Sequence, residues 1–153
     1  MPAREFLSEE DEHLIVEAID RAEKNTTGEI RVHIEFKCKK DPLERARVLF
    51  HELEMDQTEA RNGVILYIAT DDKKVAIYGD EGISRQVEGS FWQDEIDSLI
   101  TQFKKENFEQ GIEMVVGDIG EKLKEYFPSV GDDPNELGNE ISYRNNRTND
   151  DNE

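Results

Sequence analysis

Two carboxylates stand between two glycines in Gly79-Asp80-Glu81-Gly82. Hard divalent cations are bound by such oxygen donors: Ca2+ takes roughly six to eight and Mg2+ about six, several of them water. The flanking glycines would let the backbone turn its carbonyls toward an ion as well. A second polar stretch, holding Asp56, Glu59 and Asn62, enters the apolar run Val64 to Ala69, and Glu88 follows Gly82. If that run pairs antiparallel with Lys74 to Tyr78, the segment entering the first strand and the segment leaving the second share one end of the sheet. Asp56, Glu59 and Asn62 would then lie beside Asp80, Glu81 and Glu88. Carboxylates gathered in this way repel, and a divalent ion would relieve them. The plain alternative is an acidic turn pointing into water.

Two further places carry metal-binding residue types. Near the C-terminus, Asp132, Asp133, Asn135 and Glu136 could donate ligands to a site completed elsewhere. They do not form an EF-hand: Gly138 stands at the sixth position, but Leu137 at the fifth and Arg144 at the twelfth contradict the motif. The rival site is at the carboxyl ends of the parallel strands, where open α/β sheets bind ligands. Lys37, Lys39, Lys40 and Asp41 follow one strand there and Asp71 and Asp72 the other. Lysines could meet phosphate while aspartates hold Mg2+; the bland reading is a solvated strand end.

Other chemistries lack their residues. Neither GxxxxGK[ST] nor GxGxxG occurs. Cys38 has no arginine-bearing phosphate loop after it. His13, His33 and His51 fall on separate elements, which disfavours zinc with nitrogen and sulfur ligands. His33 reads as a solvated strand residue.

With 37 acids against 19 bases, the net charge is -18. That field repels nucleic acid and anionic membranes and attracts cations; it also keeps a protein soluble. A single cysteine fits a reducing compartment. No run approaches the roughly 18 apolar residues that span a bilayer. The expectation is a cytoplasmic monomer whose partners are divalent cations, with a protein or a phosphorylated small molecule as a further partner.

The elements that must position these residues follow from periodicity. Ser8 and Asp11 form a variant capping box, and Leu14, Ile15, Ala18, Ile19 and Ala22 give one helical face. Glu29 to Lys37 alternates, with Ile30, Val32, Ile34 and Phe36 on one side, so a half-buried strand is expected. Asp41-Pro42-Leu43-Glu44 opens a helix whose buried stripe is Leu43, Ala46, Leu49, Phe50 and Leu53. Met55 to Arg61 reads as a polar connection. The order strand, helix, strand implies a right-handed crossover with parallel strands, and the hairpin makes the sheet mixed. Ser90 and Gln93 read as a capping box around Phe91-Trp92, which would pin the next helix (Ile96, Leu99, Ile100, Phe103) to the sheet. A last helix carries Phe108, Ile112, Val115, Val116, Ile119 and Leu123 and stops before Pro128. The domain is expected to span 1–130. The acidic, Asn-rich tail 131–153 reads as partly ordered to Tyr143, with a short edge strand at Glu140 to Tyr143, and as disordered from Tyr143 on.

The landmarks Thr27-Gly28-Glu29-Ile30, Asn62-Gly63-Val64-Ile65-Leu66, Lys74-Val75-Ala76-Ile77, Gly79-Asp80-Glu81-Gly82-Ile83, Phe91-Trp92, Gly111-Ile112 and Tyr126-Phe127-Pro128 together resemble the TPM domain family, also called the TPM phosphatase family, from about Phe6 to Pro128. The resemblance implies a three-layer αβα sandwich around a short mixed sheet of four strands. Most relatives carry a signal sequence and membrane anchor, and this chain looks like a stand-alone soluble version. Many also have an extra strand before the first helix, for which Met1 to Leu7 is too short; a fourth strand would then come from the tail and alter the strand order. The resemblance further implies phosphate-ester or phosphoanhydride hydrolysis, photosystem repair or receptor modulation, with divalent metals recurring. A shared fold does not transmit chemistry. The expected function is therefore Ca2+ or Mg2+ binding that orders the loops around Asp80 and Glu81 as a switch for a partner. The alternatives are a metal-assisted phosphohydrolase and a structural interaction module.

Overall fold

The computed structural model describes residues 6–129 and 141–144. Helix α1 (Glu9–Glu23) starts as its sequence dictates: the Ser8 hydroxyl accepts the Asp11 N–H, and the Asp11 carboxylate accepts the Ser8 N–H. Strand β1 (Glu29–Glu35) follows, then α2 (Pro42–Glu52), whose N-cap Asp41 accepts the Glu44 N–H. A single 3-10 turn, Met55–Gln57, leads to β2 (Gly63–Ala69), and a tight turn leads back along β3 (Lys74–Gly79). The one-turn helix α3 (Glu81–Ser84), α4 (Phe91–Lys104), α5 (Phe108–Tyr126) and the short β4 (Ser142–Arg144) complete the described elements.

The sheet is mixed and four-stranded, in the order β3-β2-β1-β4. β1 and β2 are parallel, β2 and β3 antiparallel, and β4 runs parallel to β1 with His33 opposite Ser142. The expected tail strand is therefore present, shifted by about two residues. Tyr143, expected to begin a disordered stretch, lies inside it.

Residue parity divides the sheet into two faces. Ile30, Val32, Ile34, Val64, Leu66, Ile68 and Ile77 meet α1, α4 and α5 in one core. Ile65, Tyr67, Ala69 and Ala76 meet Ala46, Leu49, Phe50 and Met55 in a smaller core under α2. This is the expected three-layer αβα arrangement.

Several local expectations fail; Leu14 and Ile100, expected on the apolar faces of α1 and α4, are exposed at the margins of those faces. β1 is not half-buried: Glu29, His33 and Glu35 on its polar side are buried, Glu35 beneath Arg45, which reaches it from α2. His33 is thus no solvated residue; it is 2% exposed. In α2 the expected core residue Leu43 is 50% exposed and Arg45, two positions on, is buried instead. Met55, read as part of a polar connection, is fully buried, and positive φ at Glu54 and Arg61 bends the chain around it. Ser90 makes no side-chain cap; its backbone is helical and its hydroxyl donates to Asp94. Phe91 and Trp92 do pin the helix: Phe91 is buried, and Trp92 lies so close over Gly79 that an added Cβ would sit 2.5 Å from its ring.

Candidate functional site

The N-terminal end of β2 and the C-terminal end of β3 meet as the hairpin requires, and backbone bonds fix the crossing. The Asp80 N–H donates to Gly63 O (2.9 Å) and the Gly82 N–H to Arg61 O (2.8 Å). Gly82 is needed there: a Cβ would lie 2.1 Å from the Ala60 carbonyl oxygen. The acidic loop is a capped helix start. Asp80, 2% exposed, accepts the Glu81 N–H through Oδ1 (2.8 Å).

Charge at this crossing is arranged around Arg61. Its Nε and Nη2 fork onto the two oxygens of Asp80 at 2.8 and 3.0 Å, and its Nη1 lies 3.4 Å from Glu81. Asp80, Glu81 and Asp56 all strengthen the hold of this guanidinium on its proton. The repulsion expected among the acids is relieved here by an arginine of the same loop. Arg61 is 43% exposed and Glu81 51% exposed, so this pairing has an open side.

Of the other sequence candidates, Asp56 holds the His51 imidazole at 2.9 Å. Hydrogen bonds from His51 and Gln57 keep its carboxyl below the usual range. Glu59 is exposed on the same turn. Asn62 is fully buried behind it; its Nδ2 donates to Thr27, and its Oδ1 lacks a hydrogen-bond partner. Glu88, further on, pairs with Lys122 of α5 at 3.5 Å. Asp132, Asp133, Asn135 and Glu136 lie outside the described residues. Among the described residues, no three His, Cys, Asp or Glu side chains converge on one point as a ready-made metal site.

At the opposite end, the rival segments also meet. Asp72 accepts the Cys38 N–H (2.7 Å), the Asp71 N–H donates to Phe36 O, and Lys74 donates to Cys38 O (3.0 Å). Asp72 and Asp41 thus hold backbone groups, while Lys39 and Lys40 are exposed; Lys37 is half-buried.

Sequence reasoning missed a buried ionic cluster under α2. The Glu35 carboxylate, with no exposed surface, receives Arg45 Nε (2.9 Å) and Nη2 (3.0 Å), the Tyr67 hydroxyl, and His33 Nε2 (3.3 Å). Burial alone would raise Glu35; hydrogen bonds from His33, Arg45 and Tyr67 outweigh it and hold the carboxyl at about 2. Burial pushes His33 down against the pull of Glu35, which makes Nε2 the donor and leaves Nδ1 a buried acceptor without a partner. Burial and Glu35 together keep the Tyr67 phenol protonated. At neutral pH the group is an anion satisfied by four hydrogen bonds from three residues and closed to solvent, which suits fastening α2 to the sheet. The available signals were a tyrosine inside an otherwise apolar strand and an arginine inside a helix stripe.

Comparison with known proteins follows the same architecture. Residues 3–122 match the family model described as the TPM domain. The solution structure of the BA42 protein from the psychrophilic bacterium Bizionia argentinensis is similar, with 46% identity and a TM-score of 0.83 over 91% of this chain and 96% of that one. The N-terminal domain of a P. gingivalis protein (16% identity, TM-score 0.68, 80% of this chain and 79% of that one) shares the fold. So does the N-terminal domain of the cg2496 protein from Corynebacterium glutamicum (14%, 0.63, 86% and 84%). No curated protein matches. No helix among the described residues is long and apolar enough to cross a membrane.

Proposed function

The chain belongs to the TPM domain family, and from that premise we propose that it is a divalent-cation-binding module in which Ca2+ or Mg2+ orders the surface where the 54–62 and 79–88 segments cross. The observation that carries this reading is the charge around Arg61: one exposed-edge guanidinium faces Asp80, Glu81 and Asp56. Arg85 also reaches Glu81 at 3.1 Å, but two guanidiniums are too few for Asp80, Glu81, Asp56 and the exposed Glu59 on the same segment, and a dication arriving from the open side meets that surplus. Glu81 and Glu59, both exposed, supply oxygens first. Asp80 joins only when Arg61 gives up its fork, so the ion and the arginine compete for one carboxylate. Arg61, 43% exposed, is rehydrated as it leaves, and the ion's charge replaces the counter-charge that the buried Asp80 would otherwise lose. Such an exchange would move Arg61 outward and give a partner a different surface to read.

The test is a two-dimensional amide NMR titration of the wild type, Asp80→Asn and Arg61→Gln with CaCl2 and with MgCl2. Asparagine keeps the helix cap, so folding is preserved while a charge is lost. Shifts in 54–62 and 79–88 are expected in the wild type, with affinity reduced roughly tenfold in Asp80→Asn and raised in Arg61→Gln. Titration of Asp80→Asn like the wild type, or shifts confined to other regions, overturns the proposal. Phosphate release from a panel of phosphoesters, abolished by Asp80→Asn, would instead favour the hydrolase alternative.

A further inference from the structure

The outer edge of β3 carries features independent of the cation reading. Among the described residues β3 pairs only with β2. The Asp80 N–H bonds inward to Gly63 O, so the antiparallel alternation directs Tyr78, Ala76 and Lys74 inward as well. Val75 and Ile77 therefore aim their backbone N–H and C=O groups away from the sheet. Proteins ordinarily blunt such an edge with proline, a bulge or an inward-pointing charge. The sequence KVAIYG has no proline, its register runs without a bulge, and only Lys74 at its start is charged.

A cleft of about 170 Å³ straddles this edge. Pro42 and Leu43 wall it on the α2 side of the sheet, Trp92 and Ile96 on the α4 side, and Val75 to Ile77 form its floor. It falls short of the several hundred Å³ usual for small-molecule pockets, roughly 300 Å³ upward. It suits an extended chain, whose side chains alternate between the two faces as it pairs. Leu43, 50% exposed, offers one such side chain an apolar wall.

We propose that β3 takes up an extended peptide segment of net positive charge with aliphatic residues at alternate positions, which pairs with Val75 and Ile77 as an added strand. Charge selects this occupant. A second copy of the chain would bring -18 against -18, a repulsion that opposes edge-to-edge pairing. The α4 wall continues into exposed Asp97, one turn on from Gln93 and hydrogen-bonded to it, and Asp41 lines the other side. The nearest lysine on the strand, Lys74, is turned onto the Cys38 carbonyl.

The probe is a capped heptapeptide alternating lysine and valine, with its glutamate counterpart as control, added to the labelled full chain in amide NMR. Shifts and slowed amide exchange are expected at Val75 and Ile77, with a shift of the Trp92 indole and weakening at high salt. The Val75→Pro variant removes an outward donor that β2 does not use. It is expected to bind about tenfold more weakly, the worth of one lost hydrogen bond and its geometry. If Val75→Pro perturbs the β1 and β2 amides, Leu43→Lys provides the same test from an exposed position, where like charge and a lost apolar wall should weaken binding severalfold. Equal binding of the glutamate peptide, shifts away from β3, or wild-type affinity in both variants overturns the proposal.

Discussion

Replacing Arg45 with methionine should cost about 3–5 kcal/mol at pH 7, the usual penalty for stranding one member of a buried ion pair. Arg45 supplies two of the donors on Glu35, at 2.9 and 3.0 Å, and nothing else cationic lies in that hydrogen-bonded set except His33, which burial holds neutral. Tyr67 and His33 remain as neutral donors, so the carboxylate loses its charge partner while keeping half its hydrogen bonds. Linkage gives a second route to the size. A glutamate at 4.5 when unfolded and about 2 when folded contributes roughly 3 kcal/mol above pH 4.5, lost as pH falls toward 2. The gap between wild type and Arg45→Met should therefore narrow across that window. Urea unfolding at pH 7 and at steps down to pH 3, fitted by linear extrapolation, measures it. The double variant Glu35→Leu/Arg45→Met should recover most of the loss, since an apolar pair of similar volume leaves no stranded charge. A single-variant cost below about 1 kcal/mol, or a double variant no better than the single, would refute the assignment of Arg45 as the principal counter-charge.

Two further outcomes follow from local geometry. Gly82→Ala should lower stability by about 1–3 kcal/mol, since its Cβ would meet backbone oxygens that cannot swing aside; thermal unfolding measures it, and the shifted amides should be those of 58–62. Glu95, buried between α4 and α5 beside Asp118, has its carboxyl raised to about 8 by burial first and then by Asp118. A raised carboxyl stabilises the fold below its unfolded value near 4.5, and that contribution disappears as pH rises through about 8. Glu95→Gln should thus match the wild type at pH 4.5 and exceed it by roughly 4 kcal/mol at pH 8.5, read by urea unfolding at both values.

Helix caps, the hairpin, the parallel crossover and the tail strand were legible because each rests on local periodicity or on chain order. Ser8 with Asp11 and Asp41 with Glu44 announce their helices by residue type alone. The meeting of the 54–62 and 79–88 segments followed from one antiparallel pairing. The chemistry at that meeting did not. Arg61 stands near the end of the acidic stretch, but residue type alone does not say whether it turns outward or forks onto Asp80, which is nineteen residues away in sequence. The polar side of β1 was misjudged for a related reason. Alternation says that a strand has two faces, not which are covered, and Glu35 and His33 can be buried only because Arg45 and Tyr67 reach them from other elements. Ser90 failed as a cap because Glu88 and Gly89 already begin the turn, its own backbone being helical.

The placement of β4 has a consequence for synthesis. β1 is flanked by β2 on one side and β4 on the other, and Arg31 and Ser142, which touch, are 111 residues apart in sequence. Closing that span comes last, with a large sequence separation, which slows folding. A nascent chain can assemble β1, β2, β3 and both helical layers while one side of β1 is still an unpaired row of amides. Until Ser142 to Arg144 emerge, that side of β1 is a second open edge, beside the outer edge of β3. Truncation before Ser142 would make that transient state permanent, and faster amide exchange along β1 is its expected mark.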